Sequence, residues 1–498
     1  MRAVVGATAV AGALCFTASA VAQTTPTVVD PKLEVRAVTT GLTQPVQMQF
    51  IKDHEFWVLE KSTGIIKRVR NGGAPEVILD LAVNSNSERG LLGITLDQDF
   101  KRTGTLFLYW SESTTGADSA AGDTVPLMGN RLDRYHWDGA ALTYEKTIHR
   151  GRAFQDDVTN RTNPAVPVFR GNHNGGVLRT GPDGKIYLQV GDTGRRGQTQ
   201  NLIDGPFGFD ADGMLRPDDQ FGGPDTTNDH LTGVILRLNP DGTTPRDNPF
   251  WKLGAERGGQ VGQNLKKIFA YGLRNGFGMA FDPFSGDLWE QENGDDSFSE
   301  INRTEPGFNS GWTQVMGPLE RVAQFKAIET TRVPNPPDPQ APNGYYGLQQ
   351  LRWDPTNIAD TPFEAYNRLF KLPGSEFSDP ELTWKYEVAP GGIDFLSTKE
   401  LGKDYKGDLF VGSARGALRG GNIFRLRIED NRKKVDVSDD KRLKDRVADN
   451  LGKYEITESE SLLFGENFGV TPDIKEGPDG TLFIVSNTQG TVYEVRRK

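Results

Sequence analysis

Six stretches of this 498-residue sequence repeat one plan, a polar turn followed by an alternating or apolar strand. That recurrence limits the fold more than any other feature. The stretches read IKDHEFWVLEKSTGIIKRV (51–69), LDQDFKRTGTLFLYWSE (96–112), GPDGKIYLQVGD (181–192), FDPFSGDLWEQEN (281–293), YKGDLFVGS (405–413) and GPDGTLFIVSN (477–487). Four carry Gly-Asp or Asp-Gly just before the strand, where a positive φ is tolerated and the chain can reverse. Fifty-eight glycines, 29 prolines and no long helical periodicity before residue 360 agree with many short strands joined by turns. The expected fold class is all-β, a six-bladed β-propeller with long inter-strand insertions, filling residues 33–498 as one domain. Separate β-sandwiches fit less well. The last repeat resembles the third more than its neighbours, and no linker-like composition divides the units. LEVRAVTTGL (33–42) is expected to pair with GTVYEVRRK (490–498), so that the ring has no open edge.

Two excursions, near 195–262 and 314–380, interrupt the pattern and would rim a central funnel; loops this long within a compact domain are usually functional. In the second, FEAYNRLFKL (363–372) reads as a short amphipathic helix. The charged segment EDNRKKVDVSDDKRLKDR (429–446) reads as a solvated hairpin or loop. At the N-terminus, Met1-Arg2, an Ala/Val-rich run and Ala20-Val21-Ala22 describe a signal peptide over 1–22, so the expected location is periplasmic or secreted. Cys15, the one cysteine, lies inside that segment, which leaves the remainder without disulfides, thiol nucleophiles or thiolate metal sites. No later segment offers a membrane span. A net charge of −10 argues against a nucleic-acid partner.

The chemistry concentrates in GNHNGGVLRTGPDGKIYLQVGDTG (171–194). A turn leading to a strand with Asp192 beyond its end can bring His173 and Asp192 together. Such a pair suits a general base, an imidazole whose tautomer and cation are fixed by a carboxylate. The competing reading is a turn histidine that caps its own loop. Among the other histidines, His230 lies in an insertion and carries no assigned role. Asp210-x-Asp212-Gly213 lacks the distal glutamate of an EF-hand and reads as a turn. Trp289, Trp312 and Trp384 read as packing aromatics between blades.

Five ordered motifs carry a resemblance: ERGLLGITLDQDF (88–100), HNGGVLRTGPDGKIYLQVGDTG (173–194), YGLRNGFGMAFDPFSGDLWEQENGDDSFSEINRTEPGFNSGW (271–312), APGGIDFL (389–396) and LRGGNIFRLRI (418–428). Together they resemble the soluble glucose/sorbosone (aldose sugar) dehydrogenase family, six-bladed propellers that use pyrroloquinoline quinone and calcium. The resemblance implies an oxidoreductase acting on an aldose sugar or related alcohol, passing electrons to an external acceptor, as a monomer or homodimer. It implies His173 as general base, Asp192 as its orienting partner, and Arg274 with Asn275 against the quinone, where a fixed cation stabilises developing negative charge. Asn172 and Glu88 would face sugar and cofactor, and Arg419 would be a further cofactor contact. Gly294 and Asp295 would hold a cofactor-bridging calcium, and Glu300 a second calcium.

The sequence also departs from the family. Asn293 replaces a glutamine, Gly294-Asp295 replaces Gly-Pro, Ser299 replaces an acid, and Ser310 stands where a tyrosine often assists the second calcium. The Arg-x-Arg-Asp that clamps the cofactor carboxylates reads Val470-Thr471-Pro472-Asp473, with Lys475, Arg195 and Arg196 as the nearby basic candidates. Losing two such partners weakens anion binding. Two other functions therefore stand beside the dehydrogenase: a propeller hydrolase or lactonase using calcium and the His–Asp pair on water, and a non-enzymatic sugar-binding propeller.

Overall fold

The computed structural model describes residues 25–154, 171–193, 231–312, 314–330, 358–413 and 420–498, with the backbone of 208–209 and 215–216. The expected signal segment 1–22, Arg195, Arg196, Asp210, Asp212, His230 and Arg419 lie outside the described residues.

The architecture is all-β and propeller-like. Five antiparallel sheets each take four strands from one consecutive stretch of chain. Their innermost strands are Pro45–Lys52, Leu91–Leu96, Val177–Thr180, Gly278–Phe281 and Pro390–Phe395. A composite sheet completes the arrangement: Asp473–Glu476, Leu482–Ser486 and Thr491–Arg497 from the C-terminus, and Leu33–Thr39 from the N-terminus. Leu33 pairs with Arg497 and Val35 with Val495, the closure expected from sequence. Each innermost strand packs against the next, and Asp473–Glu476 returns to Pro45–Lys52.

Packing on both faces explains why the strands read as apolar runs. In Leu482–Ser486, Leu482 and Ile484 enter one core with Phe410 and Phe464, while Phe483 and Val485 enter another with Met48 and Val58. The period of two thus distributes one strand between two cores. Each such fully buried side chain contributes about 1.5–3 kcal/mol. Near the centre the sheets approach too closely for side chains: a Cβ on Gly93 would lie 2.0 Å from the Gly176 carbonyl oxygen of the neighbouring sheet.

The excursions hold more order than loops. The first ends in helices Trp251–Arg257 and Gly259–Leu265, and the second opens with Val322–Thr330. The expected helix at 363–372 is confined to Pro362–Arg368, with Thr361 capping the Glu364 amide. Its amphipathic reading needs correction, because Ala365 is buried whereas Phe363 is 79% and Tyr366 46% exposed. The charged segment 429–446 is irregular, with only a bridge from Ile428 to Val435 and a single turn at Lys441–Leu443.

Candidate active site

The cavity that matters opens at one end of the inner strands. Every one of the six sheets sends residues to it from the start of its innermost strand or the loop before it: Val46 and Gln47, Glu88 and Leu92, His173 and Val177, Arg274 to Phe277, Glu387 and Ala389, Val470 and Pro472. Its volume is about 460 Å³, enough for a small organic ligand. Loops at the common end of antiparallel strands are what the topology makes available there, and loops tolerate the polar residues a core cannot.

His173 lies just before Val177–Thr180, and Asp192 just after Ile186–Val190, its antiparallel partner. One hairpin therefore returns both residues to the same end of the sheet. His173 Nδ1 lies 2.6 Å from Asp192 Oδ1, with both side chains buried. The carboxylate fixes the ring so that Nε2 is the nitrogen left to exchange a proton. The other oxygen, Asp192 Oδ2, accepts from the Trp312 indole at 3.0 Å. Trp312 is thus more than the packing residue expected from sequence, whereas Trp289 and Trp384 are fully buried as expected. Gly191 makes the approach possible. A Cβ there would sit 2.6 Å from the Arg274 carbonyl oxygen and 2.9 Å from His173 Cβ.

His173 itself is held in an uncommon backbone state. His173 has φ +57°, a conformation that costs a non-glycine residue free energy unless its surroundings impose it. The Glu88 carboxylate accepts its backbone N–H at 2.7 Å, so Glu88 fixes the main chain of His173 from the neighbouring sheet. Asn172 is half-buried, and its carbonyl oxygen accepts from the Asn174 amide at 3.3 Å; it does not line the cavity.

Arg274 and Asn275 lie between Ile268–Tyr271 and Gly278–Phe281 and are each only 4% exposed. Arg274 donates to the carbonyls of Asn293 at 2.7 Å and Gly294 at 2.9 Å, pairs with Asp295 at 2.7 Å, and lies 5.4 Å over the Trp312 ring. Its Nε and the Asn275 Oδ1 are buried without a protein partner. Those two orphaned atoms fit a polar, flat ligand such as the quinone, for which Arg274 and Asn275 are the expected contacts. Lys61, missed by the sequence reading, adds a cation to the wall; its ammonium donates to the backbone oxygens of Ser85 and Ser87 and, among the described residues, to no carboxylate. Val470 and Pro472 do line the cavity beside Asp473 and bring no cation to that side, while Lys475 does not reach it.

Calcium fits less well. The Gly294 carbonyl is taken by Arg274, and the Asp295 carbonyl accepts the Lys453 ammonium at 2.9 Å. Glu300 sits elsewhere, on Ser297–Thr304, receiving Asn302, Ser310 and the Gly317 amide. It lies directly across from Glu292 on Leu288–Glu292. Burial raises the carboxyls of both, Glu292 to about 8 and Glu300 to about 7, with Glu300 adding to the shift at Glu292. Among the described residues, no three His, Cys, Asp or Glu side chains are grouped to hold a metal ion. Gly294 and Asp295, expected at one calcium, are thus engaged by Arg274 and Lys453, and Glu300, expected at a second, by Asn302 and Ser310.

Residues 42–341 match the family model for glucose/sorbosone dehydrogenases. The chain is 28% identical over 286 residues to quinoprotein glucose dehydrogenase B of Acinetobacter calcoaceticus, covering 57% of this chain and 52% of that protein. It is 26% identical over 288 residues to the aldose sugar dehydrogenase YliI of Escherichia coli K12, covering 56% of this chain and 62% of that protein. The matches thus span half to three-fifths of these relatives' lengths. The fold also matches the PQQ-bound aldose sugar dehydrogenase of Streptomyces coelicolor at a TM-score of 0.53, with 21% identity, over 95% of this chain and all of that one. With a family model matched over more than half its length and a propeller-like fold shared with such enzymes, the chain belongs to the glucose/sorbosone dehydrogenase family.

Proposed function

We propose that this protein is an exported six-bladed propeller that oxidises an aldose sugar or related alcohol with pyrroloquinoline quinone as hydride acceptor. The observation that carries this reading is His173, braced by Asp192 and Trp312, lining a cavity beside Arg274 and Asn275, which keep unpartnered polar atoms. Arg274, Asn275 and Lys61 would hold the cofactor. When bound, the quinone would supply a carbonyl carbon able to accept hydride.

The chain's own residues do the rest. His173 Nε2 takes the proton from the substrate hydroxyl, and Asp192 stabilises the imidazolium that results. Trp312 holds Asp192 in place, and Glu88 holds the backbone of the base. Arg274 places a permanent positive charge where negative charge accumulates. Two of the relatives are a quinoprotein glucose dehydrogenase and an aldose sugar dehydrogenase, which supports the substrate class.

The test is titration of the purified protein with pyrroloquinoline quinone, followed by dye-coupled oxidation of a panel of aldoses. Saturable binding with aldose-dependent dye reduction, abolished in His173→Gln, is the expected result. Absence of binding at micromolar cofactor would make the uncharged Val470 and Pro472 wall decisive and defeat the reading.

A further inference from the structure

We infer that the Lys453 ammonium occupies the place of the cofactor-bridging calcium, so that the Asn293–Asp296 loop carries a covalently tethered cation instead of a metal. The inference rests on the family reading for one thing only, the location of the metal loop at Gly294 and Asp295.

Lys453 Nζ lies 2.9 Å from the Asp295 carbonyl, 2.8 Å from Asp296 Oδ1 and 3.0 Å from Glu387 Oε2. An ammonium has three protons to give, and two oxygens of this loop together with one of Glu387 take them. The acceptors are of the kind calcium selects, a backbone carbonyl and two carboxylates from separate segments. The second carbonyl of the loop, that of Gly294, is satisfied by Arg274. Two fixed cations thus cover both oxygens assigned to the metal.

The lysine is built in. Its side chain is only 9% exposed, Asp296 is 6% and Glu387 12% exposed. Glu387 is itself held by the Tyr454 hydroxyl at 3.0 Å. Beneath the loop, Glu329 accepts the Asp296 and Ser297 amides at 3.0 Å each and the Ser297 hydroxyl at 2.7 Å. The loop's shape is therefore set by Glu329 from one side and Lys453 from the other. The substitution of Gly-Pro by Gly294-Asp295 fits the same design, because Asp295 supplies the carboxylate that pairs Arg274.

The experiment is thermal denaturation of wild-type, Lys453→Met, Lys453→Arg and Asp296→Asn proteins, each in EGTA and in millimolar calcium. No quinone or sugar is present, so the outcome is independent of the activity assay. Wild-type protein is expected to melt alike in both, and Lys453→Met to melt several degrees lower in EGTA and recover in calcium. Lys453→Arg, which keeps the charge, should remain indifferent to calcium and serves if the methionine variant does not fold. A wild-type calcium response that survives Asp296→Asn comes from another site and agrees with a metal-free loop. A wild-type response lost in Asp296→Asn, a calcium-responsive Lys453→Arg, or a Lys453→Met protein that calcium does not rescue would each overturn the inference.

Discussion

At the scale of single residues, the orientation of His173 depends on two partners of unequal weight. Asp192→Asn keeps the shape but cannot hold the imidazolium, and turnover should fall roughly a hundredfold to ten-thousandfold with an unchanged melting temperature. Trp312→Phe leaves one Asp192 oxygen buried without its donor. Its cost should be smaller, roughly tenfold in kcat. Steady-state kinetics on both variants, with the pH profile of kcat/KM, separates a positioning effect from a folding defect. The first of these contacts was legible in the sequence because the glycine-flanked histidine and the Gly-Asp after an apolar run mark two ends of one hairpin. The second was not. Trp312 reaches Asp192 from a segment 120 residues away, and nothing in GWTQV distinguishes a hydrogen-bonding indole from a packing one.

At the scale of elements, register places acids face to face. Glu292 and Glu300 are direct cross-strand partners, and Glu290 beside them is also raised well above the usual carboxylate range by burial. Their protonated forms favour the fold. The stability they lend is complete below the unfolded value near 4.5 and is lost as pH rises through about 7 to 8. Glu300→Gln should therefore stabilise the protein at pH 8.5 more than at pH 5.5, as read by chemical denaturation at the two pH values. His149, on the outer strand Leu142–Gly151, works in the opposite direction. Burial and Lys267 push its imidazole down to about 3, so the neutral ring favours the fold. That stability is present above pH 6.5 and is lost at up to about 1.4 kcal/mol per pH unit as pH falls below it. His149→Gln should flatten the acid limb of the melting profile between pH 6.5 and 4.5. Strand repeats exposed the sheets readily, since turn chemistry and a period of two are local. Helices Trp251–Arg257 and Val322–Thr330 escaped because each is short and lies in a stretch whose composition reads as loop. Lys453 escaped for a related reason: its acceptors come from segments about 66 and 157 residues away, a meeting that only the closed ring brings about.

At the scale of the whole molecule, one strand from the N-terminus completes a sheet begun at the C-terminus. Arg496 Nε donates to Glu34 across 462 residues of sequence, and Arg36 pairs with Glu494 at 2.6 Å. Removing residues 491–498 takes away the strand between Leu482–Ser486 and Leu33–Thr39, exposing two edges. The truncated protein should melt well below the intact one and associate in size-exclusion chromatography, whereas removing residues 25–28, which add only an edge strand, should cost little. The seam also sets an order in time. A ribosome makes Leu33–Thr39 about 450 residues before its partner Thr491–Arg497, so the early strand must wait while the sheets between them are made. Until Thr491–Arg497 emerges, the nascent protein is an unlatched coil of sheets that this one strand clasps.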